Sequence, residues 1–180
     1  MDSAVYLITG IQAAGKSTVA QALAERLPRS AHVRGDTFRR FVVSGREEMG
    51  PEPSAAALDQ LRLRHRLAAS VADEYAAAGF TAILQDVVLG EFLPYMVDRI
   101  RTDPLYVVVL APSHEAIAAR EAARPKDAYD TFTVAALDAV LRESTPRLGL
   151  WLDTSELTID ESVDTILDTA RPIVREPSGF

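Results

Sequence analysis

The chain has 180 residues, 48% of them hydrophobic and 25% charged, which is enough apolar material for one domain with a continuous core. A net charge of -7 repels phosphate backbones and anionic membranes, so any contact with nucleic acid would have to be local. Cysteine is absent, which excludes disulfides, thiolate metal sites and a thiol nucleophile, and no apolar run approaches the ~20 residues needed to span a bilayer. The N-terminus carries no basic segment followed by a long apolar one, and a cytoplasmic protein is expected.

In chain order, AVYLIT (4–9) reads as a first strand and leads through a glycine-bounded loop into a helix over 16–27, closed by Pro28. AHVRGD (31–36) is a second strand, followed by a helix over 37–44. GREEMGPEPS (45–54) has the Gly and Pro content of a surface connection. A long helix follows over 54–78, capped by Gly79. FTAILQDVV (80–88) then precedes a helix over 91–100. LYVVVLA (105–111) precedes helices over 113–123 and 133–143, and LGLWLDTS (148–155) precedes a last helix over 161–170, after which REPSGF frays. Several of these strands are nearly continuous in apolar residues rather than alternating, which suits strands covered on both faces. Strand then helix, five times over, predicts a single three-layer α/β domain around a five-stranded parallel sheet.

The loop after the first strand, GIQAAGKST, fits G-x-x-x-x-G-K-[ST] through Gly10, Gly15, Lys16 and Ser17, with Thr18 following. Glycines let successive backbone amides, here including those of Ala13 and Ala14, converge on phosphate oxygens, and the following helix points its positive end at the same anion. Lys16 adds a mobile charge for the terminal phosphates, and the Ser17 hydroxyl suits Mg²⁺. The apolar strand before the loop and the amphipathic VAQALAERL after it are the context this motif requires.

In open α/β sheets ligands bind at the carboxyl ends of the strands, so those ends separate a kinase from a hydrolase. The second run ends in RGDTFRRF, placing Asp36 where a carboxylate can take the proton of an attacking hydroxyl, with Arg39 and Arg40 beside it on the substrate side. An aspartate there also suits a helix N-cap, and both readings stay open. The third run ends in ILQDVVLG, where Asp86 has the place of a Walker B acid able to hold Mg²⁺ directly or through water; a turn aspartate ahead of Gly90 is the alternative. Arg120 and Arg124 lie four apart ahead of a break at RPKD, as suits a lid near 120–131 that screens developing phosphoryl charge; an exposed helix face pairing Glu121 with Arg124 is the plainer alternative. Arg62, Arg64, His65 and Arg66 crowd one part of the long helix, where they could approach an anionic substrate, although a solvated helix face is the plainer reading; the three histidines show no metal-ligand spacing, and Trp151 reads as core.

GIQAAGKST, RGDTF, ILQDVVLG, the lid-like AIAAREAARPK and the closing LGLWLDTSELTIDESVDTIL together resemble P-loop small-molecule kinases, in particular the chloramphenicol phosphotransferase-like group. The resemblance covers most of the chain. It implies a three-layer P-loop NTPase fold of the nucleoside and shikimate kinase type, ATP and Mg²⁺, with Lys16, Ser17, Asp36 and Asp86 at matching positions. Between Thr37 and Gly79, the substrate-facing region of that group, the similarity lapses, so the acceptor does not carry over. The expectation is phosphoryl transfer to a hydroxyl of a small molecule, with neither nucleic acid nor membrane as partner. The alternatives are a 5'-hydroxyl polynucleotide kinase, which the acidic balance disfavours, and a nucleotide-dependent regulatory protein.

Overall fold

A computed structural model describes residues 3–50, 52–122 and 131–174. Its five strands are β1 (Val5–Gly10), β2 (Ser30–Arg34), β3 (Thr81–Gln85), β4 (Leu105–Leu110) and β5 (Leu150–Leu152). They form one wholly parallel sheet in the order β2-β3-β1-β4-β5, with β1 in the middle.

The near-continuous apolar runs are explained by two cores, one on each face. Val5, Leu7, Leu84, Leu105, Val107 and Val109 pack against α3 (Ala55–Ala77) and α4 (Phe92–Arg99). The intervening Ile8, Ile83, Val108 and Leu110 pack against α1 (Lys16–Arg26) and α7 (Ile159–Thr169). Consecutive residues of one strand therefore serve opposite layers, so alternation disappears from the sequence. Towards the sheet α3 turns Ala68, Ala69, Ala72 and Ala76, all buried, small side chains that let a long helix lie close to the strands.

Local signals set the helix ends. Ser54 caps α3 by accepting from the Ala57 amide, and Gly79, at φ +83°, follows its end. Thr158 and Glu161 form a reciprocal capping box at α7, two residues earlier than the sequence suggests. Ser113 stands before α5 (His114–Ala122) and accepts from Ala116 N–H. Three elements depart from expectation. The helix after β2, α2, covers only Asp36–Arg40. The helix expected over 133–143 is an α6 of Thr131–Ala139 that widens into a π-helical turn over Val140–Ser144. The last strand shrinks to three residues; Trp151 in it is only partly buried, its ring covered by the Arg147 guanidinium at 3.9 Å.

Candidate functional site

The carboxyl ends of β1, β2 and β3 bring the candidate residues to one edge of the sheet. At β1 the chain turns through Gly10, where φ is +146° and a Cβ would lie 2.5 Å from the Leu110 carbonyl oxygen of β4. Only glycine fits there. Ala13 follows in the left-handed region at φ 59°, and Gly15, at φ 91°, is the residue before α1 with no side chain capping the helix. The loop thus presents the start of α1 with no side chain satisfying its first amides, the arrangement that favours an anion. Lys16 is buried, and its Nζ donates to the Ile11 carbonyl at 2.6 Å across the loop.

Two side-chain contacts tie the ends of the loop, in β1 and α1, to β3 and the residues that follow it, and no local pattern in the chain announces either. Thr9 donates its hydroxyl to the Val88 carbonyl and accepts from the Val88 amide, both at 2.9 Å and both buried. Ser17 donates to Gln85 Oε1 at 3.2 Å, so the hydroxyl expected at Mg²⁺ lies beside the last residue of β3.

Asp86 comes next in the chain and is 1% exposed. Its carboxylate receives Arg64 from α3 in a two-pronged ion pair, Nε to Oδ2 at 2.7 Å and Nη2 to Oδ1, and it also accepts the Val87 amide at 2.7 Å. Gly35 makes room for this pair: a Cβ there would stand 2.5 Å from the Asp86 carboxyl carbon. The helix stretch read as a solvated face is therefore partly interior. Arg64 is only 16% exposed, and His65 is fully buried against Phe92 with neither ring nitrogen hydrogen-bonded. Burial pushes the His65 pKa down to about 4, with Arg64 acting in the same direction and Asp86 against it.

Asp36 opens α2 rather than capping it, because Gly35 holds the cap position and no side chain makes a cap hydrogen bond there. Its carboxylate is 41% exposed and meets Arg40 at 2.5 Å. Arg39 turns the other way to pair with Glu48, holding that carboxyl below its usual range. On the opposite side of the loop, Arg120 donates to the Thr154 carbonyl at 2.6 Å and the Ala14 carbonyl at 3.4 Å, tying α5 to both the loop and the connection after β5. Ala13, Ala14, Gly15, Thr18, Leu157 and Ile159 line an open cleft beside it of about 250 Å³. Arg124 and most of the expected lid, 123–130, lie outside the described residues. Among the described residues no three acidic, histidine or cysteine side chains converge on a metal position, and no helix is long and apolar enough to cross a membrane.

The chain belongs to the AAA_33 family of AAA domains, whose model matches residues 5–147. No curated protein sequence matches it. Among solved structures it is similar to a sugar kinase from Janibacter sp. HTCC2649, with a TM-score of 0.71 at 18% identity over 93% of this chain and 94% of that one. A Mycobacterium tuberculosis APS kinase in complex with AMPPNP and APS superposes with a TM-score of 0.66 at 18% identity, covering 93% and 96%. A gluconokinase from Sinorhizobium meliloti 1021 gives 0.62 at 18% identity, covering 93% and 90%. The three-layer P-loop fold with its five-stranded parallel sheet is thus shared with kinases of small molecules.

Proposed function

We propose that this protein is a phosphotransferase that moves the γ-phosphoryl group of ATP, bound with Mg²⁺, to a hydroxyl group of a small molecule. The observation that carries this reading is the joint placement of a phosphate-type loop at the end of β1 and a partly exposed, non-capping carboxylate, Asp36, at the end of β2. A hydrolase needs only to orient water; a carboxylate set apart from the loop by the width of β3 suits an acceptor of its own.

The loop fits the cofactor because its glycine and left-handed positions lead into the start of α1, which no side chain caps, and Lys16 stands there. The amides from Gly10 to Thr18 would hold the phosphates, Ser17 would reach Mg²⁺, and the cleft beside Thr18, Leu157 and Ile159 would take the base. ATP supplies the phosphoryl group, and Mg²⁺ neutralises its charge. Asp36 accepts the acceptor's hydroxyl proton as the new oxygen–phosphorus bond forms and the bond to the β-phosphate oxygen breaks. Lys16 leaves the Ile11 carbonyl to follow the charge onto the leaving group, and Arg120, together with Arg124, offsets charge on the transferred oxygens. Arg39 and Arg40 flank the acceptor side. For Asp86 a metal role competes with its pairing to Arg64.

Titration with Mg²⁺ and a non-hydrolysable ATP analogue tests the reading first. Lys16→Ala should fold as the wild type and lose phosphoryl transfer by about a hundredfold or more, the scale of removing one preorganised charge stabiliser. A folded variant with near-normal turnover removes the assignment.

A further inference from the structure

A second cavity, of about 160 Å³, opens between α2, residues 41–50 and α3. Its walls are mostly apolar, with Phe38, Phe41, Val42, Met49, Leu61 and Leu67 lining it; the Arg39 charge in the wall is paired with Glu48, and Gln60 there donates to the Gly45 carbonyl. Arg39, one helical turn on from Asp36 in α2, is also in the wall, so the cavity lies along the helix that begins with the proposed base. Arg64 is also in the wall, and its guanidinium is the one locked onto Asp86. Two of its five donor hydrogens are spent there, and the fork leaves the rest at fixed angles.

The pair has a definite electrical character. Asp86 is buried and its negative charge faces a guanidinium, so the pair brings almost no net charge to the wall, and Glu47 lines the same cavity. Such a wall donates hydrogen bonds but does not concentrate anions. We infer that Asp86 is a positioning residue that holds Arg64 as the acceptor-binding donor of this cavity. The acceptor is then a neutral alcohol with an apolar body and a carbonyl-type oxygen for Arg64, rather than a polyol, a sugar acid or a phosphorylated compound. This rests on the phosphotransferase reading above and deepens it.

The test uses the whole chain, ATP and Mg²⁺. Two sets of hydroxyl compounds of matched size are offered, hydroxyketones and hydroxyamides with aryl or branched alkyl bodies, and hexoses, pentitols and sugar acids, with products read by mass spectrometry. Transfer to members of the first set, at a kcat/KM about a hundredfold or more above the second, is expected. Removing one member of a buried pair strands the other, so the decisive variant removes both, Arg64→Met with Asp86→Asn. It should bind the non-hydrolysable ATP analogue and Mg²⁺ as the wild type does, while KM for the accepted compound rises at least tenfold and kcat changes less.

Preference for the polyol set, or no transfer to the first set while the wild type binds nucleotide and Mg²⁺ normally, overturns the inference and leaves the phosphotransferase reading standing. A fall of about tenfold or more in Mg²⁺ affinity in the double variant also overturns it, by showing that Asp86 serves the metal. Failure of the wild type to bind nucleotide at all overturns both readings together.

Discussion

Asp36 stands partly in solvent and His65 wholly in the core, and substitution of each has a different consequence. Gly35, not Asp36, holds the cap position of α2, and the Asp36 carboxylate stands partly in solvent against Arg40. A surface pair of this kind contributes little to stability. Asp36→Asn should therefore leave the urea midpoint nearly unchanged while turnover falls by about a hundredfold, as for a lost general base. A variant that melts early yet keeps its rate would assign Asp36 to structure. His65 makes the opposite case, a titratable group whose cost is structural. Its folded pKa of about 4 lies below the ordinary 6.5, so between those values the unfolded chain binds more protons than the folded one. Stability is then full above the ordinary value and is lost as pH falls towards 4. Urea denaturation should show a loss of about 2 kcal/mol between pH 7.5 and pH 5 from this residue alone. His65→Leu should remove that part of the slope, and an unchanged slope would show that the ring titrates normally in the folded protein.

Among the elements, α3 does the most varied work. Its alanines let it lie on the sheet, Arg64 reaches Asp86 at the end of β3, and Asp73 accepts the backbone amides of Arg101 and Thr102 ahead of β4. A third face, with Leu61 and Leu67, walls the second cavity. The junction of α2 with the end of β3 depends on close approach at Gly35. That glycine has ordinary helical angles, φ -62° and ψ -33°, so an alanine there suffers no backbone strain; its Cβ simply meets the Asp86 carboxylate. Gly15 is the reverse, open in space but at φ 91°. Gly35→Ala should cost about 1–3 kcal/mol, the range for an overpacked interior, measured by urea denaturation. An alanine variant of wild-type stability would mean that α2 can withdraw freely from β3.

On the scale of the whole molecule, the 19 basic residues are outnumbered by 26 acidic ones, and many of the arginines are paired within the fold: Arg26 with Asp164, Arg39 with Glu48, Arg40 with Asp36, Arg62 with Asp59, Arg101 with Asp73. A strand of nucleic acid needs a run of cations free to displace its counterions. Labelling of 5'-hydroxyl DNA or RNA with radioactive ATP and Mg²⁺ should accordingly be undetectable, and efficient, salt-sensitive labelling would promote the polynucleotide kinase reading. The sheet and the phosphate loop were legible because their signals are local, a run of apolar residues or a motif of eight. Arg64 with Asp86, and Ser17 with Gln85, were not, because each joins elements far apart in sequence and a charged helix residue ordinarily faces water. The place of β1 carries a consequence for how the protein is made. Emerging early, it pairs on one side with β3, from Ala82 onward, and on the other with β4, from Leu105 onward, so both edges of an apolar strand wait for distant segments. The Leu110 carbonyl, which crowds Gly10, is part of that late segment. The most local motif in the sequence thus takes its final surroundings only after contacts across much of the chain have closed, and a nascent chain lacks a finished phosphate loop until β4 has been synthesised and docked.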